Sequence, residues 1–233
     1  VAGVEEVEFL APVKFYRDEP RLLTVSAVLR PDGTGLVADC TLTSRRQLRG
    51  EAAPRATTHF TGRVRLTAGK PETEHEQSAD GHPAVTAGHD DIYRLFFHGP
   101  AFQVIDEAWH SGTGAVARLA QHLPAASAPA GGHPATEPRL AEACFQAAGL
   151  WEIGQAGRMG LPAHADRVAL LHRPRAGAQL FAVARPAEDG SFDCRVVDAR
   201  GDVIVRVDGY RTASLPGGLP EDLQRPIHDA MTG

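Results

Sequence analysis

The sequence predicts an α+β fold in which antiparallel sheets wrap a central apolar helix. Short segments with alternating or β-branched apolar residues recur along the chain, and turn signals such as Asp-Gly separate them. One longer segment, residues 140–153, is apolar on nearly every face, which is typical of a helix inside a core. Hydrophobic residues make up 42% of the 233 residues and charged residues 23%, an ordinary balance for a globular domain.

The first part of the chain predicts strands without a helix. A turn signal, PDGTG at residues 31–35, joins the second and third strands into a hairpin. Residues 68–89 are rich in Gly, Pro, Glu, Ser and His, and this composition predicts a linker because it cannot bury a core. The predicted strands are residues 4–10, 21–30, 36–43 and 57–66.

The second part predicts a helix between two groups of strands. A short apolar segment lies at residues 92–97, and a loop rich in Pro, Ala and Gly at residues 123–135 precedes the helix. Thr136 is the predicted N-cap, Pro138 suits the first turn, and the helix is predicted to end near Gly157. The predicted strands are residues 104–110, 115–120, 167–172, 179–184, 192–198 and 203–210.

This order of elements suggests two structural repeats. One apolar helix wrapped by an antiparallel sheet is the hot-dog arrangement, and two such units side by side form a double hot dog. The first half shows no helix before its strands, so its leading strand and helix are predicted to be missing from this chain. The predicted division is a first hot dog (1–68), a linker (69–89), a second hot dog (90–214) and a turn-rich, at most partly ordered C-terminal linker or tail (215–233).

The central helix carries a carboxylate among apolar residues. Glu142 and Gln146 lie four residues apart and share one helix face, which Gly149 continues and where it leaves room for a substrate chain. A lone buried carboxylate is costly and tends to hold a proton, which suits a general acid that Gln146 orients. The structural alternative is equally consistent with the pattern: Glu142 pairs with Arg139 at an exposed helix start. Glu152, near the helix end, fits that structural alternative better.

A second motif precedes the helix. Residues 93–103, YRLFFHGPAFQ, closely resemble the Tyr/His-Gly-Pro-x-Phe motif of polyketide synthase dehydratase domains. Those domains carry an Asp-x-x-x-Gln/His motif on the second hot-dog helix, and Glu142-Ala-Cys-Phe-Gln146 stands at the matching place. Residues 4–21 and 138–162 further resemble the dehydratase (DH) domain of iterative type I polyketide synthases of the enediyne type, which is related to the dehydratases of polyunsaturated-fatty-acid synthases.

The resemblance, which covers residues 1–214, implies dehydration of a β-hydroxyacyl group bound as a thioester to acyl carrier protein, in polyene and antibiotic biosynthesis. It implies Glu142 as the acid that protonates the departing hydroxyl and Gln146 as its orienting partner. In such domains a histidine of the first hot-dog helix removes the α-proton. No cofactor is implied in the domain, because the substrate is carried on the phosphopantetheine arm of the carrier protein. The residues that the resemblance assigns to substrate binding are Tyr93, His98, Gly99, Pro100, Phe102 and Gly149.

Two departures from the family pattern bear on activity. Glu142 stands where the family usually has Asp, and the extra methylene moves the carboxyl group by about 1.5 Å. The His-x-x-x-Gly-x-x-x-x-Pro motif that carries the base is absent, so this polypeptide alone is predicted to be inactive. Three explanations are open for the base. It lies upstream in a longer protein, it comes from another chain, or it does not exist because the domain is not a functioning dehydratase. The first explanation is favoured, because the missing helix also leaves the first sheet's apolar face uncovered.

Two other functions stay open from the sequence alone. One is a non-catalytic hot-dog module that binds the acyl chain or supports synthase dimerisation, which the absent histidine favours. The other is a hot-dog thioesterase, which uses similar carboxylates with water as nucleophile, although the His-Gly-Pro-x-Phe context argues against it. Arg45, Arg46 and Arg49 form a small basic cluster in a turn, which is either a solvated loop or a dock for the acidic carrier protein.

Charge and cysteine content limit the expected partners and location. With 24 Lys and Arg against 29 Asp and Glu, the net charge of −5 argues against nucleic-acid binding. No apolar stretch is long enough to span a membrane and no secretion leader is recognised, so a cytoplasmic protein is expected. Cys40, Cys144 and Cys194 are predicted to be buried thiols, and the irregularly spaced loop histidines predict no metal site. The expected partners are the acyl carrier protein domain and other domains of the same synthase, with homodimer formation left open.

Overall fold

In the computed structural model, strands dominate the described residues, and three α-helices among these residues pack against the strands. The structure describes residues 1–15, 20–33, 35–47, 53–69, 72–76, 79, 81, 83–112, 114–125 and 137–233. The helices are α1 (His89–Leu95), α2 (Pro138–Ala156) and α3 (Glu221–Thr232). The strands are β1 (Gly3–Phe9), β2 (Leu23–Asp32), β3 (Gly35–Arg46), β4 (Arg55–Leu66), β5 (Ala87–Gly88), β6 (Ile105–Ser111), β7 (Gly114–Leu119), β8 (Gly160–Leu170), β9 (Leu180–Pro186), β10 (Phe192–Asp198) and β11 (Val203–Ser214).

The strands of the described residues form one 11-stranded antiparallel sheet in the order β2-β3-β4-β1-β8-β11-β10-β9-β7-β6-β5. The two halves of the chain meet where β1 pairs with β8, with Val4 opposite Val168 and Val7 opposite Ala165. Hydrogen bonds between β1 and β8 therefore join both halves into one continuous surface. This architecture, with few helices and a sheet that wraps α2, confirms the predicted α+β double hot-dog class.

The central helix α2 occupies the position that the sequence predicts. It begins at Pro138 and ends before Gly157, whose φ of +63° is the left-handed conformation that terminates many helices. The predicted N-cap, Thr136, lies outside the described residues. A Cβ atom at Gly154 would lie 2.3 Å from the Cβ of Met231, so only glycine allows α3 to approach α2 this closely.

The C-terminal segment differs from the turn-rich tail that was expected at residues 215–233, because it contains α3. Ile227 and Met231 of α3 are fully buried in the core around α2. Nδ1 of His228 also lies 2.7 Å from the carbonyl oxygen of Gly154. The apolar residues of α3 have helical spacing, but Pro226 interrupts the pattern because proline lacks a backbone donor.

Two local elements also differ from their predicted form. The apolar segment at residues 92–97 is largely the end of α1, a helix that starts at His89. Strand β8 begins at Gly160, well before the predicted start at residue 167. Gly160 and Pro162 suggest a turn, but an irregularity in the opposite strand between Arg211 and Thr212 accommodates the proline.

Residues 72–76, within the predicted linker, lie against the outer face of the sheet. Glu74 accepts a hydrogen bond from Nε of Arg195 at 3.1 Å. Glu76 accepts two hydrogen bonds from the Arg185 guanidinium, at 3.0 and 2.9 Å. Charged residues that cannot enter a core are thus held by arginines of β9 and β10.

One face of the first-half strands is apolar and uncovered. Val25, Leu42 and Phe60 stand opposite one another across β2, β3 and β4, so they point to the same side of the sheet. On that side the ring of Phe60 contacts Phe9, and Phe9 contacts Phe145 of α2. Val25 is 71% exposed. Within the described part of the chain, no helix packs on β2, β3 or β4.

Candidate active site

Glu142 lies in the second turn of α2, where its side chain reaches the segment after α1. Its Oε1 atom is 2.9 Å from Nε2 of His98, and the two side chains are 23% and 22% exposed. The carboxylate is therefore half-buried with polar partners, and the expectation of a lone carboxylate in an apolar core is wrong. The alternative pairing with Arg139 is not observed either, because the Arg139 guanidinium donates to the carbonyl oxygen of Pro124.

Gln146 connects Glu142 to two further groups through its side-chain amide. Its Nε2 donates to Oε1 of Glu142 at 3.0 Å and to the carbonyl oxygen of Phe102 at 2.9 Å. Its Oε1 accepts the hydroxyl proton of Tyr93 at 2.7 Å, and the Tyr93 oxygen accepts the N–H of Ile105 at 2.9 Å. A backbone carbonyl can only accept, so the contact with Phe102 fixes the nitrogen of the Gln146 amide on that side. The N–H groups of this amide therefore serve Phe102 and Glu142, and its oxygen faces Tyr93.

Tyr93 remains a protonated donor in this network. Burial of the phenol is the largest cause that raises the pKa of Tyr93, and the negative charge of Glu142 raises it further. The N–H of Ile105 acts in the opposite direction, since it stabilises the phenolate. The net shift is upward, so the hydroxyl keeps its proton for Gln146 at neutral pH.

The His-Gly-Pro segment determines where His98 and the Phe102 carbonyl lie. Gly99 precedes a 3₁₀ turn at Pro100–Phe102, and the N–H of Phe102 donates to the Gly99 carbonyl at 2.8 Å. Proline suits the first position of such a turn because that position needs no N–H donor. The His98 ring stacks on Phe97 with centroids 5.5 Å apart and an interplanar angle of 8°. One short turn thus presents an acceptor to Gln146 and an imidazole to Glu142.

A cavity of about 210 Å³ opens beside these groups, and its lining includes His98, Glu142, Gln146 and Gly149. A Cβ atom at Gly149 would lie 3.3 Å from the Phe96 ring, so the glycine lets this ring pack closely on α2, and the ring takes up space that was expected for a substrate chain. A second cavity of about 310 Å³ also reaches Glu142, and Phe102 lines it. The predicted substrate-binding residues that line neither cavity are Tyr93, Gly99 and Pro100.

Tyr93→Phe is expected to lower the free energy of unfolding by about 1–3 kcal/mol, because it leaves the N–H of Ile105 and Oε1 of Gln146 without their partner. Urea denaturation measures this loss. Tyr210→Phe, at a second buried tyrosine outside the network, is the matched control. Equal stability of the Tyr93 variant and the parent chain would contradict the network.

Two aromatic residues at the site carry no distinguishing signal in the sequence. Tyr210 of β11 stacks on Phe145 of α2 with ring centroids 4.5 Å apart and an interplanar angle of 19°. Both rings line the 210 Å³ cavity. Burial raises the pKa of Tyr210, and the charge of Glu142 adds to that rise. In the sequence both residues belong to ordinary apolar patterns, so they cannot be told apart from core residues.

One known protein family matches most of the chain. The family model described as "Polyketide synthase dehydratase N-terminal domain" matches residues 70–222, which is well over half of the chain and includes Tyr93, His98, Glu142 and Gln146. The chain belongs to the polyketide synthase dehydratase family. No curated protein sequence gives a significant match to this chain.

Solved dehydratase structures share the fold of this chain. The dehydratase domain from the CurF module of the curacin polyketide synthase is 17% identical, with a TM-score of 0.73 over 92% of this chain and 76% of that chain. A structure from the borrelidin and fluvirucin polyketide synthases, concerned with dehydratase substrate selection, is 23% identical, with a TM-score of 0.66 over 94% and 75%. A trans-AT polyketide synthase dehydratase domain from Brevibacillus brevis is 18% identical, with a TM-score of 0.67 over 91% and 76%. At these identities the similarity concerns the fold.

A second carboxylate on α2, that of Glu152, holds two elements of the fold together. Glu152 is 5% exposed, although its place near the helix end suggested an exposed residue. The hydroxyl of Thr212 donates to its two carboxylate oxygens at 2.8 and 2.9 Å, and Nη2 of Arg158 lies 3.1 Å away. The packing of α2 on β11 buries this side chain, which the position along the helix does not reveal. Glu152 therefore ties α2 to β11 and lines neither cavity.

Within the described residues, no helix is long and apolar enough to cross a membrane. No group of three or more His, Cys, Asp or Glu side chains among them could hold a metal ion. Cys144 and Cys194 are buried thiols as expected, whereas Cys40 is only half-buried because it lies on the uncovered face of β3. Arg45 and Arg46 are exposed at the end of β3, and Arg49 of the predicted basic cluster lies outside the described residues.

Proposed function

We propose that this chain dehydrates a β-hydroxyacyl group carried as a thioester on the phosphopantetheine arm of an acyl carrier protein. The supporting observation is the cluster of Glu142, His98 and Gln146 at the wall of a cavity, in a chain of the dehydratase family. The products are an α,β-unsaturated acyl thioester and water.

In the proposed step, Glu142 is the acid. Nε2 of His98 and Nε2 of Gln146 approach the same carboxyl oxygen, Oε1, at 2.9 and 3.0 Å. Because both nitrogens approach Oε1, the proton that Glu142 delivers in this proposed step is carried on Oε2. Oε2 gives this proton to the β-hydroxyl as the C–O bond breaks and water leaves. The electron pair of the broken Cα–H bond becomes the new double bond.

For the base, we propose a histidine on a helix outside residues 1–233. The apolar face of β2, β3 and β4 lies on the same side of the sheet as α2, and Val25 on it is 71% exposed. A helix packed on this apolar face would lie on the same side of the sheet as Glu142, with the Phe9–Phe145 contact between the helix and Glu142. On this proposal the 233-residue chain alone does not turn over substrate, whereas a polypeptide that also carries the helix does.

We further propose that the parent enzyme is an iterative synthase of the enediyne type. The support is the resemblance of residues 4–21 and 138–162 to that group and to polyunsaturated-fatty-acid synthases. The substrate is then a polyene intermediate of an antibiotic, and the reaction takes place in the cytoplasm. The partners are the acyl carrier protein and other domains of the same synthase, in a homodimeric assembly. Arg45 and Arg46 are the proposed contact for the acidic carrier protein.

The product formed from a β-hydroxyacyl thioester tests the proposal. A polypeptide that joins this chain to its upstream helix is expected to release the enoyl thioester, and the 233-residue chain is the matched inactive control. Release of the free acid would identify a thioesterase instead. Binding without turnover, even with the helix present, would identify a non-catalytic module that shelters the acyl chain or holds the synthase dimer together.

A further inference from the structure

Two cavities meet at Glu142 and Phe145, which line both of them. The cavity of about 210 Å³, called the reaction cavity, also contains His98 and Gln146. The cavity of about 310 Å³, called the apolar cavity, extends along α2 towards its first turn. The aliphatic side chains on its wall come from β1, β8, β11 and α2, and they are Val4, Ala141, Val168, Leu170 and Val205.

Phe145 is held between these cavities by aromatic contacts on two sides. Its face stacks on Tyr210 at a centroid distance of 4.5 Å, and its ring meets Phe9 edge-on at 6.0 Å. Phe9 is itself held by an edge contact with Phe60 at 5.4 Å. Because Tyr210, Phe9 and Phe60 all belong to strands of the sheet, the Phe145 ring has little freedom to swing aside. The ring therefore stands between the two cavities.

The two cavities are lined by different chemical groups, and this difference indicates which end of a bound substrate each cavity holds. The reaction cavity holds an imidazole, a carboxyl and an amide, and the 72% exposed Phe97 lies at its mouth. A polar thioester and its pantetheine arm fit there. The aliphatic wall of the apolar cavity fits a hydrocarbon tail, and its volume of about 310 Å³ lies within the usual range of small-ligand pockets.

We infer that Phe145 is a specificity-determining residue that limits the length of the acyl chain. The inference rests on the proposed dehydration of an acyl thioester. When the reacting carbons of an acyl chain lie at Glu142, the distal end of the chain meets the Phe145 ring. Further methylenes then have no apolar wall to pack against. Without the ring, the reaction cavity and the apolar cavity become one, and a longer tail buries each additional methylene against Val168 and Val205.

Binding of non-reactive substrate analogues tests this inference without any need for turnover. The probes are β-hydroxyacyl pantetheine analogues in which a methylene replaces the thioester sulfur, with tails of increasing length, measured by isothermal titration calorimetry. For the parent chain, affinity is expected to stop rising once the tail reaches the ring. For Phe145→Ala, affinity is expected to keep rising about fourfold for each added methylene. Phe145→Leu, which keeps an apolar side chain in the core, is the second variant and is expected to extend the rise by fewer methylenes.

Two controls distinguish removal of the Phe145 ring as a barrier from general loosening of the core. Phe181→Ala removes a buried ring that packs on Trp109 in a different cluster, and it is expected to keep the parent length profile. Val168→Trp added to Phe145→Ala fills the apolar cavity and is expected to restore the parent profile. Identical length profiles for the parent and both Phe145 variants would overturn the inference alone. If neither the parent chain nor the polypeptide that also carries the upstream helix bound an analogue of any length, the proposed function would be overturned as well.

Discussion

In a polypeptide that also carries the base, Glu142→Gln is expected to lower kcat for dehydration by about 100- to 10,000-fold. This is the usual contribution of a general acid. Glutamine retains an oxygen that accepts hydrogen bonds from His98 and Gln146, so the wall of the cavity persists. It has no acidic proton for the departing hydroxyl. Steady-state formation of the enoyl thioester measures the loss, and KM is expected to change little because the substrate still fits.

Glu152→Gln is the matched control, since it changes the same residue type on the same helix. Glu152 lines neither cavity and is bound to Thr212 and Arg158. This variant is expected to unfold more easily, because a buried carboxylate that receives charged and hydroxyl donors is lost, while kcat stays close to the parent value. If Glu142→Gln retained the parent kcat, Glu142 would not be the acid.

Ile227→Ala in α3 is expected to lower the free energy of unfolding by about 2–5 kcal/mol, the usual cost of a large-to-small change in a core. Ile227 is fully buried and packs in the cluster that surrounds α2. A side chain in a flexible tail would contribute almost nothing. Urea denaturation of the 233-residue chain measures the difference without any assay of activity.

Leu22→Ala is the control for this stability experiment, because Leu22 is 81% exposed. The surface substitution is expected to change the free energy of unfolding by less than about 0.5 kcal/mol. A loss of that small size at Ile227 would mean that α3 does not belong to the core. A second check is Gly154→Val, whose Cβ would collide with Met231 and separate α3 from α2.

The contrast between α2 and α3 shows how far sequence patterns reach. An apolar helix such as α2 is recognisable because almost every residue must be buried, so its composition alone predicts its environment. The short helix α3 has the spacing of an amphipathic helix, but Pro226 and the preceding Pro-Gly-Gly-Leu-Pro segment predict a break. Packing against Gly154 outweighs those local signals, and no local pattern contains that contact.

At the site, the four-residue spacing of Glu142 and Gln146 and the order of the two motifs were readable from the chain, because helix periodicity places i and i+4 on one face. The surroundings of Glu142 and Gln146 could not be read from the chain. That Glu142 has His98 at 2.9 Å, and that Tyr93 holds the amide of Gln146, depends on how the turn after α1 lies against α2.

By itself, the sequence determined the class of fold, the buried helix and the residues that face one another along it, since local periodicity and composition encode these features. Only the tertiary structure decided that the carboxylate is paired, that the C-terminal segment joins the core, and that Phe145 stands between two cavities. These features arise from contacts between residues far apart in the chain, such as Phe145 with Phe9 and Tyr210. Such contacts are set by the packing of whole elements, and this packing leaves no local trace in the sequence.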